Sequence, residues 1–278
     1  MIMKKVERKA LQLAWEALKN GAVDVRYCSD FFGCSRKHAY TIVRYALDAG
    51  WLRNYHYPLC PTTVLGVTAE GAKIIAEMRG KKAQVKALTS ASLMPQNPRH
   101  DLLVLRTACL VARSLEKNIK SITTARVIRA STGVYKSAMA GGTIVPDAVL
   151  TLDDGQRIAI EVQENAESDD VAERRLYVYS DLIIQQNIDA VIWASTLPKI
   201  AAQLARIIAS GVRPWIREKK LIRRADDATG STAQTIDVWR PADIIRTTPT
   251  KQVAIDIKAF RSDYYSDIRA HDATPRFM

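Results

Sequence analysis

The chain has 278 residues, 47% of them hydrophobic, enough for a substantial core in one large domain or two ordinary ones, which excludes wholesale disorder. Lys and Arg number 41 against 29 acidic residues, a net charge of +12, and residues 1–90 hold 15 basic against 7 acidic side chains, so the excess sits at the N-terminal end and favours a polyanion such as DNA, RNA or an acidic membrane surface. No apolar run reaches the roughly 18 to 20 residues of a membrane span, and Lys4, Lys5, Arg8 and Lys9 lead into an amphipathic pattern rather than a signal-peptide core, so a cytoplasmic protein with no membrane partner is expected.

In chain order, residues 6–19 place Leu11, Leu13, Ala14, Trp15 and Leu18 on a helical stripe that Asn20-Gly21 ends. Val25, Cys28 and Phe31-Phe32 predict a short second helix after Asp24, stopped by Gly33. Ser35 then caps a third helix with Ala39, Ile42, Val43, Ala46 and Leu47 on its inner face. The turn Phe32-Gly33-Cys34-Ser35 has the length and the glycine of a helix-turn-helix. A strand at Trp51-Leu52-Arg53, a polar loop over 54–62, a strand from Val64 to Val67 and a helix capped by Thr68 follow. This order over residues 6–78 resembles a winged helix-turn-helix. The resemblance implies that the third helix enters a major groove of double-stranded DNA, with Ser35 capping it and Arg36, Lys37, Tyr40 and Arg44 facing outward, while Arg53 and His56 on the wing touch backbone or minor groove. A protein-docking module would carry the same basic residues as a solvated helix face.

Residues 81–98, rich in Lys, Ser and Ala and then carrying Pro95, Asn97 and Pro98, read as a linker between a domain over 1–80 and a larger α/β domain over 99–278. From His100-Asp101 a long amphipathic helix runs through Leu115, and a short one is expected from Thr123 to Ala130. Ile144 to Leu150 and Arg157 to Gln163 predict a β-hairpin about the turn Asp153-Asp154-Gly155. A helix over 168–187, a buried strand over 189–194, a helix over 198–210 and a strand from Arg213 to Ile216 complete a mixed sheet flanked by helices. Residues 218–233 read as an exposed loop before a last strand at Thr235 to Trp239, and residues 240–278 carry only weak patterns.

The residues with chemistry to offer are Pro146-Asp147 on one hairpin arm and Glu161-x-Gln163 on the other. Two carboxylates brought together by adjacent strands suit a divalent metal, Mg²⁺ or Mn²⁺, which prefers hard oxygen ligands. Motif and element order resemble the PD-(D/E)xK nuclease superfamily, the restriction-endonuclease-like fold. That resemblance implies metal at Asp147 and Glu161, activating water against a phosphodiester. Gln163 stands where the family usually has lysine, and Arg174 or Arg175 on the next helix is expected to supply the cation. The alternative is that Asp147 is a surface acid beside a turn and Glu161 a solvent-facing strand residue.

Taken with the winged helix, His100, Pro146-Asp147-Ala148, Gly155, Glu161-Val162-Gln163, Glu164, Arg175 and Tyr179 are similar to the replication-relaxation proteins of mobile elements, a group related to C-type plasmid mobilisation relaxases. The resemblance implies an endonuclease that nicks DNA at an origin of transfer or replication, on a supercoiled plasmid and alongside other transfer or replication proteins. In it Asp147 and Glu161 hold the metal, Gln163 or Glu164 orients water or completes the shell, and Arg174 or Arg175 stabilises the phosphorane charge. His100 either contacts the scissile phosphate or caps its own helix. Tyr177 and Tyr179 lie about 200° apart around a helix, so at most one faces the site, and both are expected to pack. Two rivals remain: a catalytically inactive nuclease-like DNA-binding regulator, and an accessory transfer or replication factor that melts DNA or recruits a relaxase. A small-molecule enzyme is disfavoured by the lack of a glycine-rich phosphate loop or nucleophile elbow. Cys28, Cys34, Cys60 and Cys109 are scattered, with no Cys-x-x-Cys pair and no zinc-like His spacing.

Overall fold

The structure, a computed structural model, describes residues 4–57, 60, 62–80, 82–89, 93–131, 135–136, 143–184, 187–195 and 198–209, together with the strands over 215–218, 221–224, 236–239, 244–246 and 253–255. The protein is mixed α/β and divides into two compact units. The first takes the described residues up to Val111 and 123–131, and the second takes 112–122 and the described residues from 135 to 255.

The first unit begins with α1 (Lys5–Asn20), which buries Leu11, Leu13, Ala14, Trp15 and Leu18 and ends at Gly21, whose N–H still donates to the Ala17 carbonyl while its positive φ turns the chain out of the helix. Asp24 caps α2 (Val25–Phe31), and Gly33 turns the chain with φ +56° before Ser35 caps α3 (Arg36–Asp48). Strands β1 (Leu52–Tyr55) and β2 (Val64–Val67) pair antiparallel from Leu52↔Val67 to Tyr55↔Val64, and Val23 adds a two-way backbone bridge to Leu65. Residues 58, 59 and 61 of the expected loop lie outside the described residues. Thr68 then caps α4 (Ala69–Arg79), accepting the Gly71 N–H at 2.9 Å.

Gly71 allows α4 to lie directly on the backbone of Trp51. A Cβ at position 71 would stand 2.2 Å from the Trp51 carbonyl oxygen and 2.9 Å from its carbon. Gly71→Ala is therefore expected to cost about 3 kcal/mol, because backbone rather than a flexible side chain must give way. Urea unfolding of the full chain measures this, and a loss below about 0.5 kcal/mol would show that α4 lifts away freely.

The stretch read as a linker is built into this unit. Helix α5 (Lys82–Thr89) buries Val85 and Leu88, and the Tyr57 hydroxyl donates to the Pro95 carbonyl at 2.7 Å. The next helix, α6 (Pro98–Ser114), does not open the larger domain as the sequence pattern predicts. Its residues up to Val111 belong to the first unit: Leu102 packs with Ala22 and Val64, and Arg106 forms a buried ion pair with Asp24. The break therefore falls after Val111 rather than at 81–98, because α6 has apolar and charged partners among α2 and the hairpin. Strand β3 (Ile119–Thr124) has no counterpart in the sequence pattern. After it α7 (Ala125–Ala130) returns to the first unit, where the Arg126 guanidinium donates to the Leu88 carbonyl of α5 at 2.8 Å.

In the second unit a short pair, β4 (Tyr135–Lys136) and β5 (Thr143–Ile144), precedes the hairpin of β6 (Ala148–Leu152) and β7 (Arg157–Gln163). Its turn is held by Asn118, whose amide donates to Asp153 at 2.8 Å. Helix α8 (Asp169–Ile184) crosses to β8 (Ala190–Ser195), parallel to β7, and α9 (Pro198–Ala209) follows. Strand β9 (Trp215–Glu218) pairs with β10 (Leu221–Arg224), so part of the expected 218–233 loop is a hairpin, while residues 219, 220 and 225–233 lie outside the described residues. Strand β11 (Ile236–Trp239) joins β8 in parallel, and β12 (Ile244–Arg246) pairs with β13 (Val253–Ile255). The main sheet has the order β11-β8-β7-β6-β3, and every residue of β7 beyond Arg157 is buried, as a central strand covered on both faces requires. The core over it joins Ala159, Leu176, Tyr179, Val191, Trp193, Ile200 and Leu204 from β7, α8, β8 and α9. Among the described residues no helix is long and apolar enough to cross a membrane.

Candidate functional site

In the first unit α3 has two unlike faces. Ala39, Ile42, Val43 and Ala46 are buried, whereas Arg36, Lys37, Tyr40 and Arg44 are exposed and fall within an arc of about 100° around the helix. Ser35 Oγ accepts the His38 N–H at 3.3 Å, so its role is to start the helix. Arg44 pairs with Asp48 at 3.7 Å with both side chains open to water, an attachment too weak to withhold it from a phosphate. On the hairpin, His56 is exposed, and Arg53 is exposed with its guanidinium 4.9 Å from the centre of the Tyr55 ring.

In the second unit the antiparallel register Ala148↔Ile160 places Asp147 opposite Glu161. Asp147 Oδ2 accepts the Val162 N–H at 2.8 Å, which fixes this carboxylate against the strand that carries Glu161. Alternation along β7 turns Ala159, Glu161 and Gln163 toward α8, and the parallel register sets Trp193 beside Glu161 and Ser195 beside Gln163.

Glu161 is 3% exposed and has both oxygens engaged. One accepts the Tyr179 hydroxyl, the other the Arg175 guanidinium at 2.6 Å. Arg175 also reaches Glu167 at 2.7 Å and lies 4.6 Å from the centre of the Trp193 ring. Burial, reinforced by the neighbouring charge of Asp147, pushes the Glu161 carboxyl up to about 8, while Arg175 and Tyr179 pull it down. Burial works against the Arg175 charge, yet Glu161 and Glu167 hold it above the ordinary arginine value. Burial and the charge of Glu161 raise the Tyr179 hydroxyl well above the usual phenol range, so it keeps its proton. Tyr179 is thus the tyrosine that reaches the carboxylate pair, as a hydrogen-bond donor to Glu161.

A carboxyl whose pKa is higher folded than unfolded stabilises the fold at low pH and loses that contribution as pH rises through the folded value. For Glu161 the window runs from its ordinary 4.5 to about 8. Wild-type stability is accordingly expected to fall relative to Glu161→Gln between about pH 5 and about pH 9. Thermal unfolding followed by circular dichroism measures this; parallel pH profiles for the two proteins would remove the basis for the shift.

The other expected site residues are placed as follows. The Gln163 amide is engaged by the protein: its oxygen accepts the Trp193 indole N–H and its nitrogen donates to the Asn165 carbonyl, both at 2.9 Å. Arg174 is exposed, because one residue along α8 is a rotation of about 100° away from Arg175. His100 lies on α6 in the first unit and not among the elements that build the carboxylate pair. Glu164 is half-buried just beyond β7. Glu161 is buried rather than solvent-facing. Sequence reasoning missed Glu167, Trp193 and Ser195, although alternation within 190–195 puts Val191, Trp193 and Ser195 on one face. The Ser195 hydroxyl donates to the Gln163 carbonyl at 2.8 Å.

Asp147 and Glu161 are the residues that would hold a divalent metal, and as folded Glu161 meets protein donors there. Glu161 has given both oxygens to protein donors, and among the described residues no group of three or more His, Cys, Asp and Glu side chains is arranged to hold a metal ion. No family model, no curated protein and no solved structure matches the chain.

Proposed function

We propose that this protein binds double-stranded DNA through its first unit, acting as a winged helix-turn-helix, and that its second unit is a restriction-endonuclease-like domain serving regulation or partner assembly at a mobile-element origin rather than cutting. The observation that carries DNA binding is the exposed arc of Arg36, Lys37, Tyr40 and Arg44 on a helix whose opposite face is buried. The hairpin after α3 and the Val23–Leu65 bridge support a wing, and Arg53 extends the positive surface onto it. For the second unit, the hairpin β6–β7 followed by α8 and the parallel strand β8 supports the nuclease-like reading. The engaged oxygens of Glu161 favour the silent form of it. The resemblance to replication-relaxation proteins supplies the origin region of a plasmid or integrative element as the DNA to try first.

Combined Arg36→Ala, Lys37→Ala and Arg44→Ala substitutions are expected to weaken binding to an origin-region duplex about a hundredfold. The slope of log K against log salt should become shallower by about 0.9 for each phosphate that the variant no longer neutralises. Fluorescence anisotropy at several salt concentrations measures both. Unchanged affinity in the folded triple variant would leave α3 as a solvated face or a protein-docking surface.

A second reading, a metal-dependent nicking endonuclease, is favoured by the placement of Asp147 directly across from Glu161. Supercoiled plasmid incubated with Mg²⁺, Mn²⁺ or chelator separates the two. The silent domain leaves the plasmid intact, whereas nicking that requires metal and is lost in Asp147→Ala and Glu161→Ala establishes the enzyme.

A further inference from the structure

The second unit carries its own cation at the place where a nuclease of this type would need a metal. The Arg175 guanidinium bridges Glu161 and Glu167, with one nitrogen 2.6 Å from the first and the other 2.7 Å from the second. Its central carbon lies over the Trp193 ring, 4.6 Å from the ring centre, and the charge of Asp147 also acts on it. A planar fork suits two carboxylates, and its weak hydration lets it sit partly buried against an aromatic face.

The anchors are themselves held. Trp193 is fixed by Gln163 and stands edge-on to Tyr179, with ring centres 6.0 Å apart. The segment carrying Glu167 is tied to α9, because Gln203 donates to the Glu167 carbonyl at 2.9 Å and to Asp169 at 2.7 Å, while Arg206 reaches Asp169 at 2.7 Å. Withdrawing the guanidinium from Glu161 therefore means breaking two charge-assisted bonds and leaving the aromatic face at the same time.

We propose that Arg175 is a resident counter-cation that closes the Asp147–Glu161 pair to divalent metal, so that this unit is neutralised from within and does not load Mg²⁺ or Mn²⁺. Arg175 is in this sense a positioning residue, and Glu167 and Trp193 are the groups that keep it in place. The inference rests on the nuclease-like reading only in taking Asp147 and Glu161 as the pair a metal would seek. DNA binding by α3 is measured separately and can fail or succeed without touching it.

The test is a titration of the full-length protein with Mn²⁺ at about pH 8.5, above the folded value of about 8 so that Glu161 is ionised, reading free ion by electron paramagnetic resonance, without DNA. Wild type is expected to show no saturable binding that depends on Asp147. Arg175→Gln, verified as folded by circular dichroism, is expected to gain a saturable site at least about tenfold tighter than anything in wild type, abolished by adding Asp147→Asn. Arg175→Lys keeps the charge but spans one carboxylate at a time, and serves if the Gln variant does not fold; its affinity should fall between the two. Saturable wild-type binding that Asp147→Asn removes overturns the proposal, since metal then enters despite the arginine. A folded Arg175 variant that binds Mn²⁺ no more tightly than wild type overturns it as well.

Discussion

Asp24→Ala is expected to lower the stability of the first unit by about 3–5 kcal/mol. Asp24 is 1% exposed and holds three groups at once. One oxygen accepts the Tyr27 N–H at 2.7 Å and starts α2; the other accepts from Arg106 and from Thr62 at 3.2 Å. The cap alone accounts for about 1 kcal/mol. The larger part arises because Arg106 is only 2% exposed and would keep its charge in a buried site without its carboxylate. Asp24→Asn should keep much of the cap and still be costly, and pairing Asp24→Ala with Arg106→Met should restore most of the loss. Urea unfolding of the four proteins provides the cycle. A single-variant loss near 1 kcal/mol, with no recovery in the double variant, would mean that only the cap matters.

Trp193→Ala is expected to cost the second unit a similar amount, about 3–5 kcal/mol. Trp193 is fully buried in the core shared by β7, α8, β8 and α9, and it packs edge-to-face with Tyr179 at an interplanar angle of 80°. The cavity would open directly beneath Arg175 and beside Gln163, so the carboxylate cluster should loosen along with the core. Trp193→Phe separates the two effects. It retains most of the apolar area but removes the indole N–H from Gln163, a buried acceptor, for an expected cost of about 1–2 kcal/mol. Thermal unfolding with near-ultraviolet circular dichroism measures both variants; equal losses for Phe and Ala would place the energy in the hydrogen bond instead of the packing.

Local patterns carry much of the fold. The stripe of α1, the caps Asp24, Ser35 and Thr68, the hairpin about Asp153-Asp154-Gly155 and the succession α8, β8, α9 lie close to where periodicity and turn residues put them. These features are legible because each depends on residues within a turn or two of one another: a cap reaches three positions, a helical face repeats every three or four, and a two-stranded register follows from its turn. The outward face of α3 is of the same kind, since the positions of Ala39, Ile42, Val43 and Ala46 leave Arg36, Lys37, Tyr40 and Arg44 to solvent.

The domain boundary is hidden from the sequence. Lys, Ser and Pro over 81–98 have a linker's composition, yet Val85 and Leu88 find a core there, and α6 is claimed by Asp24 through a residue 82 positions away. Composition records what a segment can tolerate, not which distant surface needs covering. The carboxylate site shows the same division. The spacing of Asp147 and Glu161 across a hairpin turn already implies that they face each other, because antiparallel pairing is a local rule. What the pair does is decided by Arg175, Tyr179, Glu167 and Trp193, brought in by a helix crossover and a parallel strand. Parallel register has no turn to announce it, and a guanidinium one helical position away, at Arg174, points elsewhere. The sequence by itself determined many of the elements, though not α5, β3 or β10, and the two opposed acids. Only the tertiary structure decided that those acids are buried with a cation of the protein's own, because burial and charge compensation are properties of the whole packed unit.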